Sequence, residues 1–295
     1  MIYLDHAATA RYLPVGVVKE YVKVASAKCN PGRGSYREAV DLGLKVYRVR
    51  ESIKRYLHAP RHEVAFCKNC TEALNLAIRG YLTHGGRVVT TVTEHNSVLR
   101  PLHHLTEEGK ITYVTVAPSS PDKGVEASAI ERALTPDTAL VVVNLVSNVT
   151  GVSNDVPAIG ALLSRRGIPL LVDGAQGVGH IPVDVAAWGV DMLACPAHKG
   201  LHGLSGGFLL TNRSLAPLLY GGTGTASQSL RQPHGVDGWE AGTQDYAGIC
   251  ALGKGVEWTY AHLDRLISHE EGLISYLSEE LSTIERVHIY GHGHD

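Results

Sequence analysis

Between Glu63 and Leu210 the chain alternates short apolar runs with segments of helical period, and few folds accommodate that rhythm. The runs Glu63–Phe66, Arg87–Val92, Ile111–Val116, Thr138–Leu145, Ile168–Val172, Val190–Cys195 and Gly207–Leu210 have the length and β-branched content of strands. Between them, Thr71–Tyr81, Ser97–Glu108, Ala127–Leu134 and Val156–Arg166 have the spacing of helices. Strands alternating with helices predict an α/β protein with a mainly parallel seven-stranded sheet, covered on both faces. Ligands of such sheets sit outside the carboxyl ends of the strands. Asp173, the pair His198-Lys199 and the turn Asn69–Thr71 all fall at such ends. The 32 glycines and only two phenylalanines point the same way, towards tight turns after strands and close backbone approaches.

The flanks differ. Pro14–Ala27 and Ser35–Leu57 have helical spacing with no strand between them, giving an N-terminal helical arm over residues 1–60. After Leu252 the pattern is helical again, through Gly255–Glu285, and Val287–Tyr290 has the composition of one short strand. The expected division is a large domain over 1–255 and the start of an incomplete small domain over 256–295. A chain of 295 residues with 44% hydrophobic content can build a sizeable core. A net charge of −2 carries no footprint for nucleic acid or a membrane surface. No apolar stretch has the length of a membrane span, and Met1–Asp5 does not open a secretory signal. Five cysteines, an odd number, suit a reducing cytoplasmic setting better than a disulfide framework, and the sequons at Asn148 and Asn212 are then expected to be unmodified.

Lys199 ends the run beginning at Val190, twenty-six residues after Asp173 ends the preceding one. A strand-end aspartate followed by a strand-end lysine suits pyridoxal 5'-phosphate. The amine forms a Schiff base with the cofactor aldehyde, and the carboxylate keeps the pyridine nitrogen protonated so that the ring accepts electrons. The alternative is a surface lysine and a helix-capping aspartate. Asn69-Cys70-Thr71 opens a helix after a strand; it is either a phosphate site, with Thr71 adding a hydroxyl, or an ordinary capped helix. His95, at another strand end, suits stacking on a planar ring or is one polar loop histidine among sixteen. The amides of Asn148 and Gln176 suit a phenolic oxygen on the same ring, or are turn residues. Gly221–Thr225 matches no nucleotide fingerprint and is read as a flexible loop, whereas Glu240–Thr243 precedes a helix and offers a second hydroxyl to an anion.

Taken together and in order, Leu4–Thr9, Asn30–Gly32, Cys70–Asn75, Glu94–Pro101, Val172–Gln176, His198-Lys199 and Glu240–Thr243 resemble the cysteine desulfurase and selenocysteine lyase family, within class V of the pyridoxal phosphate aminotransferases. The resemblance runs from residue 2 to about residue 260. It implies the type I fold of pyridoxal phosphate transferases and a homodimer with its site at the interface. It implies Lys199 as the Schiff-base lysine, Asp173 as the pyridinium partner and His95 as the stacking and acid–base group. Gln176 and Asn148 would contact the ring oxygen. Cys70, Thr71 and His198 would hold the phosphate, with Thr243 supplied by the other subunit. The departures are Pro196, where the family has a phosphate-binding hydroxyl and a backbone donor, and His6 in place of asparagine. The family's sulfur-accepting cysteine and carboxylate-binding arginine belong to a C-terminal domain, and this sequence ends before both.

The resemblance implies an enzyme that acts on L-cysteine, passes its sulfur to a thiolate, in some cases on an acceptor protein, and releases alanine. A class V aminotransferase, a β-lyase and a pyridoxal phosphate-binding fragment without turnover are the alternatives. A desulfurase needs an accessible thiolate. Cys29, before Asn30-Pro31, is the candidate near the expected entrance, while Cys195 and Cys250 have the setting of core residues. Cys67 and Cys70 form one C-x-x-C pair, too little for zinc, and the terminal His288, His292 and His294 read as a frayed end rather than a metal site.

Overall fold

The computed structural model describes residues 2–32, 34–224 and 228–291. Two helices come first, α1 (Val15–Ala27) and α2 (Arg37–Tyr56). The alternating core follows: β1 (Glu63–Cys67), α3 (Cys70–Tyr81), β2 (Gly86–Thr91), α4 (Asn96–Glu107), β3 (Ile111–Val116), α5 (Ala127–Ala133), β4 (Thr138–Asn144), α6 (Val156–Arg166), β5 (Leu170–Asp173), β6 (Met192–Pro196) and β7 (Gly207–Thr211). A short α7 (Val236–Trp239) leads to the 37-residue α8 (Tyr246–Ser282).

The seven strands form one sheet in the order β1-β7-β6-β5-β4-β2-β3. Only β7 runs against its neighbours, pairing antiparallel with both β1 and β6. The remaining pairs are parallel, from Val141 beside Leu170 to Asp173 beside Ala194. Continuous apolar strands are buried on both faces, as parallel sheets require. Successive residues of one strand serve opposite cores: Val141 and Val143 belong to one, Leu140 and Val142 to the other. Leu193 and Cys195 likewise divide from Met192 and Ala194. The core with Val141 lies under α1, α2, α6 and the first half of α8; the other lies under α3 and α4.

All strands but β7, six in number, bring their carboxyl ends to one edge, where Asp173 closes β5 and Pro196 closes β6. Two local expectations need correction. Val287–Tyr290 is not a strand: the chain leaves α8 through Thr283 and runs on with no partner strand beside it among the described residues. A strand without a neighbour leaves its backbone groups unpaired, so composition alone cannot make one. The terminal helix begins at Tyr246, earlier than expected, because Asp245 caps it by accepting the Gly248 N–H at 2.9 Å. The boundary expected at residue 255 falls inside this helix.

Candidate active site

A cavity of about 190 Å³ opens at the carboxyl ends of the parallel strands. Eight of the expected residues line it: Cys70, Thr71, His95, Asn148, Asp173, Gln176, His198 and Lys199. They converge from α3, the β2–α4 turn and the segments following β4, β5 and β6. Asp173 and Lys199 thus face one space. Thr243 lies elsewhere, in a neighbouring cavity of about 380 Å³ that it shares with Cys67, Trp239 and Glu240.

The buried Asp173 carboxyl accepts the Ala175 N–H at Oδ1, 3.0 Å away. Burial raises its pKa above the ordinary carboxylate range, against the Ala175 N–H and the positive charges of His95 and Lys199, which pull it down. Among the described residues it makes no ion pair. A buried carboxyl not taken up in an ion pair is the acceptor that a protonated ring nitrogen requires. On the same cavity, α3 begins at Cys70 with its N-cap, Asn69, accepting the Glu72 N–H at 2.9 Å. The other free N–H groups of that first turn, with the Thr71 hydroxyl, favour an anion. Strand β7 passes close behind this turn because Gly207 has no side chain: a Cβ there would lie 2.7 Å from the Asn69 carbonyl carbon and 2.9 Å from the Cys70 nitrogen. A buried carboxyl, an anion-binding turn, an amine, an imidazole and two amides lining one cavity fit pyridoxal 5'-phosphate. Pro196 lines the same cavity and offers no N–H.

Three residues at this site had not been singled out. Ser97 joins Thr71 to His95: its hydroxyl lies 2.8 Å from Thr71 Oγ1 and 2.8 Å from His95 Nδ1. Its backbone N–H donates to the same His95 Nδ1 at 3.1 Å, so the neutral imidazole carries its proton on Nε2. Asn144, at the end of β4, donates through Nδ2 to the Thr93 carbonyl at 2.5 Å. Beneath it is Glu94, whose Oε1 accepts from the Thr91 hydroxyl at 2.7 Å and from the Asn144 N–H at 2.8 Å. Burial above all, with the neighbouring Asp173 carboxylate, raises the Glu94 pKa to about 8 against those two hydrogen bonds. The local signal was the Thr-Glu-His-Asn-Ser run itself, a strand end opening into a helix. What it could not show was which neighbouring strand the buried acid meets.

The cysteines are not arranged as nucleophiles. Cys195 and Cys250 are buried, and burial holds the Cys195 thiol well above its usual range and the Cys250 thiol at about 11. Burial likewise raises the Cys67 and Cys70 thiols; Cys70 Sγ faces Asp173 Oδ1 at 3.7 Å. Cys29 Sγ contacts the Glu38 carbonyl at 3.6 Å, away from the cavity lining. All five are free thiols. His288 sits edge-on to Tyr290, and His292 and His294 lie outside the described residues, as does Thr225 of the glycine-rich loop.

Comparison with known proteins decides the ancestry. The family model described as aminotransferase class-V matches residues 2–295. The chain belongs to the class-V aminotransferase family. Within this pyridoxal phosphate-dependent family, a probable cysteine desulfurase of Methanothermobacter thermautotrophicus is 34% identical, the match covering 98% of this chain and 74% of that protein. A cysteine desulfurase of Yersinia pestis is 30% identical, with 99% and 75% covered. Among solved structures, the apo cysteine desulfurase of Thermococcus onnurineus NA1 superposes with a TM-score of 0.90 at 28% identity, covering 99% of this chain and 75% of that one. The structure of SspA in complex with cysteine gives 0.77 at 27% identity, covering 87% and 72%. The chain therefore spans about three quarters of the relatives it matches, and it has the type I fold of class-V aminotransferases.

Proposed function

We propose that this class-V family member is a cysteine desulfurase-like enzyme acting on L-cysteine, with pyridoxal 5'-phosphate held between Asp173 and the first turn of α3. The observation that carries the reading is that Lys199, Asp173, His95 and Thr71 line one cavity. When bound, the cofactor supplies an electron sink that weakens bonds at the α- and β-carbons of an amino acid.

The residues divide the remaining work. Lys199 is the amine that anchors the cofactor and then moves the proton at the substrate Cα. Asp173 accepts a hydrogen bond from the protonated ring nitrogen, and its burial keeps water from competing. His95, with its proton on Nε2, covers the ring and serves acid–base steps. Asn148 and Gln176 donate to the ring oxygen. Gln176 is also tied to the N-terminal segment, donating through Nε2 to the Ala7 carbonyl at 3.2 Å. Cys70, Thr71 and His198 hold the phosphate. Burial and the adjacent Lys199 charge lower the His198 pKa, so its neutral ring contributes a hydrogen bond rather than a charge. Thr243 comes from a second copy in a homodimer. The large cofactor-binding unit spans 1–255, and 256–295 begins a smaller one. Among the described residues no helix is long and apolar enough to cross a membrane; five free thiols support a cytoplasmic reading.

A second reaction fits the same cavity, since a β-lyase or aminotransferase needs the lysine, the ring partner and the phosphate site but no enzyme thiol. Product analysis separates the two. Purified protein is loaded with pyridoxal phosphate and given L-cysteine and a thiol acceptor. Alanine with sulfide or persulfide supports desulfuration; pyruvate with ammonia supports the lyase. Borohydride fixation followed by peptide mapping is expected to label Lys199, and K199A is expected to lose both the label and all turnover. A label on another lysine overturns the site.

A further inference from the structure

The direction in which Lys199 leaves the backbone depends on the peptide planes around it, and each has an identifiable partner. The His198 carbonyl accepts the Ala10 N–H from the N-terminal segment at 2.9 Å. The Lys199 carbonyl accepts the His202 N–H at 2.9 Å, closing a tight local turn. The next carbonyl, Gly200, is held by a side chain: the Thr259 hydroxyl of α8 donates to it at 3.1 Å. Thr259 is fully buried. A threonine inside a helix ordinarily turns its hydroxyl back on its own helix. Here it reaches out to the loop that carries the cofactor lysine.

The approach is built into α8. Gly255 lies one turn before Thr259 and therefore on the same face of the helix. A Cβ at Gly255 would collide with the Leu201 carbonyl oxygen, and it would lie 3.2 Å from the Gly203 nitrogen. The missing side chain lets α8 come close enough for the hydroxyl to reach Gly200. Tyr12, also from the N-terminal segment, adds a carbonyl contact to His202 Nδ1 at 3.1 Å. His202 takes a left-handed conformation, φ 49°, which a residue other than glycine keeps only under restraint.

We propose that Thr259 is a positioning residue for Lys199: its hydroxyl fixes the Gly200 carbonyl and so sets the aim of the lysine amine into the cavity. The proposal rests on the reading of Lys199 as the cofactor lysine. It is tested on the protein loaded with pyridoxal phosphate, with T259V, which removes the hydroxyl at nearly constant shape, and T259S, which keeps it.

T259V is expected to shift the pH midpoint of the visible absorbance of the loaded protein by about half a unit or more, because the amine meets a different field. Its turnover is expected to fall about tenfold while KM stays within about twofold, the signature of a misplaced reacting group. Cofactor uptake by the unloaded protein is expected to slow by a similar factor, about tenfold. T259S is expected to restore all three. Should T259V not fold, T259A against T259S gives the same contrast. If wild-type protein is labelled at Lys199 by borohydride and the hydroxyl-free variant keeps the wild-type midpoint and uptake rate, the proposal fails alone. If the label falls on another lysine, the site reading and the proposal fail together.

Discussion

A carboxylate without an ion pair is expensive to bury, and Asp173 is buried at the end of β5 with the Ala175 N–H and the Cys70 thiol as the donors to Oδ1 among the described residues. Its charge is stabilised when a cation arrives, so D173N keeps the shape and removes the reason for the site. Turnover of D173N is expected to fall about a hundredfold or more, while borohydride still labels Lys199. Steady-state kinetics beside peptide mapping checks it, and an unimpaired D173N would remove the ring-nitrogen role. At this scale the site was largely legible. Lys199, Asp173, His95 and Thr71 each stand where an apolar run stops, and a strand end in a parallel sheet is already a location. Ser97, Glu94 and Asn144 were not legible, because their meaning is a contact: Glu94 matters through the N–H of Asn144, fifty residues away on the neighbouring strand. Cys29, expected near the entrance, does not line the cavity. Sequence proximity to Asn30-Pro31 says nothing of the Glu38 carbonyl against which its thiol packs.

The elements are joined by one buried pair that no local pattern announces. Arg50 of α2 and Glu240, just after α7, make a two-pronged ion pair, 2.8 Å and 2.7 Å, with their side chains 19% and 10% exposed. Glu240 also accepts the Phe66 N–H of β1 at 2.6 Å, Arg50 donates to the Val64 carbonyl, and the guanidinium lies 4.5 Å from the Phe66 ring centroid. The cluster fastens the segment bearing Thr243 to the edge of the sheet. Removing one partner strands the other in a dry setting, so R50A is expected to lower unfolding stability by about 3 kcal/mol, the low end for a pair slightly open to water. E240A is expected to do at least as much, since the Phe66 N–H also loses its acceptor. Urea denaturation of both single variants and the double variant measures the coupling; additive effects would show the pair to be incidental. The seven strands of the sheet and helices α1–α6 were legible to within a residue or two because their signals are periodic and local. The start of α8 was not, because it is set by the Asp245 cap at the close of an irregular stretch.

Across the whole molecule, stability is unevenly shared. The buried residues of α8 all lie between Ala247 and Thr259, against α1, α2 and the Lys199 loop. Farther along, Leu273, Ile274, Tyr276 and Leu277 are exposed, and beyond Thr259 the bond between Glu270 and His180 Nδ1 at 3.0 Å is, among the described residues, the hydrogen bond that ties the helix back to the segment between β5 and β6. Hydrogen exchange is expected to show amides of residues 271–282 exchanging far faster than those of 247–259, through local opening that leaves the sheet intact. Uniform protection along α8 would contradict this.

The buried acid under the site makes a sharper global prediction. Glu94 Oε2 is buried with no partner among the described residues, and burial holds the group's pKa at about 8 against an unfolded value of 4.5. Below 4.5 both states carry the proton, and above 8 both have lost it. Between those limits the folded protein holds a proton that the unfolded chain has released, so Glu94 subtracts stability progressively as pH rises. E94Q keeps an oxygen to accept from the Thr91 hydroxyl and the Asn144 N–H but never ionises. Measured by urea unfolding, the two proteins are expected to be nearly equal at about pH 4.5, with E94Q gaining on wild type by a few kcal/mol up to about pH 8 and by no more beyond it. The difference between the two isolates this group, with its coupling to Asp173, from the other titrations in the chain. A gap that stays constant over that range would mean that Glu94 is ionised in the folded protein at low pH, and that the Thr91 and Asn144 hydrogen bonds outweigh its burial.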